Sequence, residues 1–147
     1  MAIYGKGHGL LGCSAPCQAA TGGQPVHCST AFSVQATSAE SNVASVASYL
    51  GLPVKILTTF VKGSPIAQLI KDNLRSRHID YEGIEVPQGG PWGYRHQFNI
   101  ADSGYGARGP RVWNDRAGEI GRTLNVKDFA GFKELEVTNW SRAPGRV

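Results

Sequence analysis

Thr37-Ser38-Ala39-Glu40-Ser41-Asn42-Val43-Ala44-Ser45-Val46-Ala47-Ser48-Tyr49-Leu50-Gly51-Leu52-Pro53-Val54-Lys55-Ile56-Leu57-Thr58-Thr59-Phe60-Val61 is the stretch that decides the fold, because its hydrophobic period changes partway along. Thr37 and Glu40 stand three residues apart, the spacing at which a hydroxyl and a carboxylate satisfy each other's orphan amides at a helix start. Val43, Val46, Ala47 and Leu50 then recur on one helical face. Gly51 supplies a left-handed stop and Pro53 a breaker, so a helix is expected over 39–50. Val54 to Val61 is β-branched and apolar on nearly both faces, which is the pattern of a strand buried in a parallel sheet.

A second helix follows. Ser64 is placed to cap it, Pro65 suits its first position, and Ile66, Leu69, Ile70 and Leu74 face inward while Lys71, Asp72, Arg75 and Arg77 take the solvent side. After Ile79 the period becomes two. Ile79 to Val86 reads as a strand, and Tyr94, His96, Phe98 and Ile100 alternate with Arg95, Gln97 and Asn99. Half-buried antiparallel strands are expected here, separated by turns at Gln88-Gly89-Gly90-Pro91 and Asp102-Ser103-Gly104-Tyr105-Gly106, with Arg111-Val112-Trp113-Asn114 as the returning strand. The expectation is an α/β fold: a parallel sheet with helices plus a small antiparallel β lid.

The chain has 147 residues, within the usual range of one domain. Nineteen glycines point to many turns. Between Met1 and Ala39 the only charged side chain is Lys6, and the remaining Lys, Arg, Asp and Glu all lie from Glu40 onward. That boundary sets off an atypical low-charge segment, 1–36, expected to be poorly ordered, from a folded region, 37–128, whose lid strands run over 79–116, and a tail, 129–147. The formal charge of +4 attracts anions without forming a dense basic tail. An odd set of cysteines, Cys13, Cys17 and Cys28, and the lack of a signal-like start argue against export. No apolar run is long enough to span a membrane, so a cytoplasmic protein is expected.

Ala39-Glu40-Ser41-Asn42-Val43-Ala44 with Leu50-Gly51 resembles the N-terminal signature of ribokinase-like sugar kinases, the PfkB family. The run Gly109-Pro110-Arg111-Val112 to Asp115-Arg116-Ala117-Gly118 is similar to that family's returning lid strand, and most similar to that of 2-keto-3-deoxygluconate kinases. The resemblance implies a partial ribokinase-like fold, N-terminal half only, with sugar held between lid and sheet near the carboxyl ends of the strands. It implies that Asn42 bonds a sugar hydroxyl, a task suited to an amide that both donates and accepts. It implies that Arg116 holds a substrate carboxylate through its forked guanidinium, and that Tyr94 and Arg95 meet substrate from a lid strand. Thr37 and Ser38 occupy positions where relatives carry two glycines, so two Cβ atoms crowd the sugar. Asn114 stands where relatives carry a tyrosine, and Glu119-Ile120 where they carry a Ser-Ala pair.

Phosphoryl transfer needs a base, amides to stabilise developing charge, and groups to hold nucleotide phosphates and magnesium. In the family these come from Gly-Ala-Gly-Asp and Asn-x-x-Glu motifs, and neither occurs in this sequence. ATP and Mg are therefore expected for the family and doubtful for this chain alone, which is expected to be a truncated or rearranged product without kinase activity. Two alternatives stand beside the sugar kinase: a non-catalytic interaction or dimerisation module in which lid strands pair with a second copy, and a basic nucleic-acid-binding protein. Arg108, Arg111, Arg116 and Arg122 could form a phosphate-tracking patch, but no stacking motif accompanies them, and a solvated basic face is the better reading. Gly7-His8-Gly9-Leu10-Leu11-Gly12 fits a dinucleotide fingerprint formally, with no helix after it to receive a pyrophosphate. Cys13, Cys17, His27 and Cys28 could offer zinc ligands, though free thiols fit their spacing better.

Overall fold

The computed structural model describes residues 9–11, 17–20, 25–102, 104 and 107–129; of 9–11, 17–20, 126 and 129 it describes the backbone alone. The central element is strand β4, Lys55–Val61, in which every residue from Ile56 onward is buried. A strand buried on both faces needs a neighbour on each edge and a cover on each side. β1 (Gly9–Leu11) and β5 (Asp80–Val86) supply the edges, both parallel to it, with Gly9 opposite Lys55 and Val61 opposite Val86. Helices α1 (Ala39–Tyr49) and α2 (Pro65–Ser76) contribute Ala44, Ala47, Ala67, Ile70 and Leu74 to one core with Ile56, Phe60 and Ile79.

The start of α1 differs by one residue from the expected capping box. Ser38, with an extended backbone, is the N-cap, and its hydroxyl accepts from the Ser41 N–H at 2.9 Å. The third helical residue is thus Ser41 and not Glu40, and its own hydroxyl donates back to the Ser38 carbonyl at 3.1 Å. The buried face also differs. Ser41, Ala44 and Ala47 pack inward, while Val46, Tyr49 and Leu50 are 60, 91 and 67 % exposed. Val43 is half-buried and Ala47 buried, so the inward face is the expected one turned towards the smaller residues. Gly51, at φ 77°, ends the helix as expected: its N–H donates to the Ser48 carbonyl and that of Leu52 to the Ala47 carbonyl, the paired bonds of a left-handed cap. In α2, Ser64 caps and Pro65 leads, as the sequence indicates.

Ile79–Val86, expected among the antiparallel lid strands, belongs instead to the main sheet as the parallel neighbour of β4. Its alternating burial arises because one of its faces covers Phe60 through Tyr81 and Gly83, the Tyr81 ring meeting that of Phe60 edge-on at 5.8 Å.

The second sheet has four strands in the order β3-β2-β6-β7, where β2 is Cys17–Ala20, β3 Ser33–Ala36, β6 Phe98–Asp102 and β7 Arg111–Asp115. β2 runs antiparallel to β3 and parallel to β6, and β7 returns antiparallel to β6. Three strands therefore come from segment 1–36, where the sequence shows no sustained period. Gly9, Leu10 and Leu11 of the Gly-x-Gly-x-x-Gly run are strand and not a strand-to-helix turn. Among the described residues no helix is long and apolar enough to cross a membrane.

Candidate functional site

The pairing register aligns Ala36, Cys17, Phe98 and Asp115 as one row across the four-stranded sheet. The chain leaves β3 just beyond this row into Thr37, Ser38 and α1. It enters β6 through Tyr94, Arg95, His96 and Gln97, and it leaves β7 into Arg116. One end of one sheet thus gathers the approaches of all three segments that carry the candidate residues. With strands ~4.8 Å apart, the β3 and β7 backbones at this row are separated by about 14 Å.

Each candidate has a definite place there. Asn42 is exposed one turn into α1, its N–H donating to the Ser38 carbonyl at 3.0 Å. Thr37 is half-buried, and Ser38 uses its hydroxyl as the helix cap. Tyr94 is partly exposed, held by its N–H to the Gln88 carbonyl at 2.7 Å. Arg95 is a brace: its N–H donates to the Gly118 carbonyl at 2.8 Å, its Nε to the Ala117 carbonyl at 2.7 Å, and its guanidinium pairs with Asp115. The hydrogen bond from Arg95, followed by one from the Ala117 N–H, holds the Asp115 carboxyl below its ordinary range. Asn114 is exposed on β7 opposite Asn99. Arg116 lies against Glu119, with Nε 2.9 Å from Oε2.

Two groups at this end escape sequence reasoning. His96 is buried beside Phe60, and its Nε2 accepts from the Val61 N–H at 3.3 Å. That bond assigns the imidazole proton to Nδ1, which is buried without a partner among the described residues. Burial, aided by the charge of Lys71, lowers its pKa to about 4, so the ring is neutral at pH 7. Nothing in an alternating β pattern distinguishes such a histidine from its neighbours. Glu119 is the second: the sequence marks it as a departure from the family's lid pattern and as a residue spaced three from Arg116, but not as a buried carboxylate.

The far end of the same sheet has a different character. A cleft of about 450 Å³ opens there beside Ile100, Asp102, Arg108, Arg111 and Trp113, and none of the seven candidate residues lines it. Among the described residues no three His, Cys, Asp or Glu side chains stand close enough to hold a metal ion. Cys28 is a free, exposed thiol, while Cys13 lies outside the described residues.

Neither a scan of protein-family models nor a search of curated proteins gives a match. Solved structures do. A PfkB family carbohydrate kinase from Listeria grayi is 27 % identical over 72 % of this chain and 32 % of its own, with a TM-score of 0.62. A 2-dehydro-3-deoxygluconokinase from Thermotoga maritima is 18 % identical over 82 % of this chain and 35 % of its own, with a TM-score of 0.69. A Halothermothrix orenii fructokinase is 17 % identical over 76 % of this chain and 38 % of its own, with a TM-score of 0.59. The protein carries the ribokinase-like fold of PfkB-family carbohydrate kinases and spans about a third of their length.

Proposed function

We propose that this chain is the sugar-binding portion of a PfkB-type carbohydrate kinase, an enzyme that as a whole transfers phosphate from ATP, with Mg, to a hydroxyl of a sugar or keto-deoxy sugar acid such as 2-keto-3-deoxygluconate. The observation that carries this reading is the shared row Ala36–Cys17–Phe98–Asp115, which brings the α1 cap, the Tyr94–Arg95 approach and Arg116 to one end of a sheet in a fold common to carbohydrate kinases. A sugar seated across that end of the sheet, over β2 and β6, would be reached from the α1 side and from the β7 side. Asn42 would bond a sugar hydroxyl, Tyr94 and Asn114 would contact it from the lid, and Arg116 would take a carboxylate once Glu119 yields it. Thr37 and Ser38 would bring their backbone close to the ring, and Arg95 would hold the lid loop in position.

The chain alone would bind without turnover, because the Gly-Ala-Gly-Asp and Asn-x-x-Glu motifs do not occur in it. Titration of the purified chain with 2-keto-3-deoxygluconate and with fructose, followed by calorimetry, tests the proposal. Saturable millimolar binding that Asn42→Ala weakens is expected, and no saturation by either sugar overturns it.

A second reading, a pairing module, is favoured by β7, an edge strand whose five residues are all exposed, Val112 and Trp113 included. Unpaired N–H and C=O groups along such an edge can accept a strand from another copy. Sedimentation of the chain at rising concentration distinguishes the two: a monomer throughout counts against pairing. The nucleic-acid reading is weakened by ion pairs, since Arg95, Arg108 and Arg116 each face a carboxylate of the same chain.

A further inference from the structure

We propose that the cleft at the Asp102–Arg111 end of the four-stranded sheet binds a planar aromatic anion, a flat ring system carrying one carboxylate. The antiparallel register sets Ile100 opposite Trp113 and Asp102 opposite Arg111, so these four side chains share one face of the sheet. The short turn Val26–Cys28 stands over that face, and the space between measures about 450 Å³, within the range of small-molecule sites. Ile100, Val26 and the half-exposed Trp113 indole give it an apolar, flat-sided interior suited to a ring.

The charges select the sign of the ligand. Asp102 is buried and its oxygens are committed, Oδ1 to the Gly104 N–H at 3.0 Å and Oδ2 to Nη1 of Arg108. Those bonds hold its carboxyl below the ordinary range and leave it little to offer a cation. The other arm of Arg108, Nη2, is buried with no hydrogen-bond partner among the described residues. A guanidinium N–H without an acceptor is costly, and Arg108, whose side chain is one-third exposed and lines the cleft, is a natural partner for a ligand carboxylate. Arg111 adds a second positive charge at the exposed rim, so Arg108 and Arg111 together exceed the one carboxylate that faces them. The cleft lies four residues along β6 from the row that bears the proposed sugar end, about 13 Å away, so this site stands or falls independently of the kinase reading.

The test titrates the full chain with 2-naphthoate and, as the neutral counterpart, 2-naphthalenemethanol, read by calorimetry and tryptophan fluorescence. One saturable site for the carboxylate is expected, with the alcohol ~10-fold weaker or worse. Arg111→Gln and Trp113→Leu, both at exposed positions and checked for folding by circular dichroism, should each weaken 2-naphthoate about 10-fold. Trp92→Leu, at an exposed turn remote from the cleft lining, should leave it unchanged. No saturable binding, equal affinity for the alcohol, or undiminished affinity in either cleft variant overturns the proposal.

Discussion

Arg116 sets its guanidinium against the carboxylate of Glu119, Nε to Oε2 at 2.9 Å and Nη2 to Oε1 at 3.4 Å, and the two partners differ sharply in burial: 57 % of the arginine side chain is exposed against 5 % of the glutamate. Removing either partner therefore has unequal consequences. Arg116→Gln leaves a buried carboxylate without this cation and is expected to cost about 2 kcal/mol, whereas Glu119→Gln leaves a guanidinium that water can solvate and should cost under about 1 kcal/mol. Urea denaturation of the two variants measures the difference; equal losses would show that the pair is no more than a surface contact.

The same pair bears on the proposed substrate. A guanidinium already bound by its own chain competes poorly for an external carboxylate, so Glu119→Gln is expected to tighten 2-keto-3-deoxygluconate several-fold, ~1 kcal/mol, while leaving fructose unaffected. Paired calorimetric titrations of the native chain and the variant with both sugars check this. An equal gain for the neutral sugar would mean that Arg116 does not meet the carboxylate.

His96 makes stability depend on pH. Its pKa is about 4 in the folded chain against 6.5 when solvated, so between those values the unfolded chain binds a proton that the folded chain refuses. Stability is complete above pH 6.5 and declines as pH falls towards 4, by about 3 kcal/mol in total. His96→Gln, which retains an acceptor for the Val61 N–H and does not titrate, should remove this component. The difference between native and variant denaturation free energies, measured from pH 7.5 to 4, should therefore slope across the window; a flat difference would refute the buried neutral imidazole.

Sequence legibility followed the range of the interactions involved. The start of α2 and the burial of β4 depend on local signals, Ser64-Pro65 and a largely apolar run rich in β-branched residues, and both were readable. The face of α1 was legible only in part: Ala47 is buried as its spacing indicates, but hydrophobicity also favours Val46 and Leu50, which are exposed, over Ser41 and Ala44, which are buried. The partner of Ile79–Val86 was misread because alternation describes the faces of a strand but not its neighbours. At the site, the exit of Arg116 and the α1 cap at the same end of one sheet depends on the pairing of β2 with β6, a contact between segments eighty residues apart that no local pattern encodes.

Gly83 sits in β5 directly against Phe60. A Cβ there would intrude into the Phe60 ring and stand 3.1 Å from the Thr58 carbonyl oxygen. The ring cannot withdraw easily, since Tyr81 meets its edge and the Lys71 ammonium lies 4.7 Å from its centroid. Gly83→Ala is expected to destabilise the fold by about 1–3 kcal/mol, the usual cost of overpacking a tight core. A variant as stable as the native chain in thermal denaturation would mean that β4 and β5 are more loosely packed than this geometry implies.

His78 ends α2 with φ at 54°, the one non-glycine residue in the left-handed region among those described. Its N–H donates to the Arg75 carbonyl at 2.9 Å and the Ile79 N–H to the Leu74 carbonyl at 3.0 Å, the bonds that glycine commonly makes at a helix end. The bond that His78 accepts from the Ser48 hydroxyl goes to its backbone carbonyl and so survives side-chain replacement. Glycine relieves the steric cost of the left-handed backbone but also frees the unfolded chain, so His78→Gly should raise stability by a net ~0.5–1 kcal/mol. A β-branched residue suffers most from that conformation, and His78→Val should lower stability by about 1 kcal/mol or more. Urea midpoints should therefore rank glycine above histidine above valine; the reverse order would mean that α2 does not end in a left-handed turn.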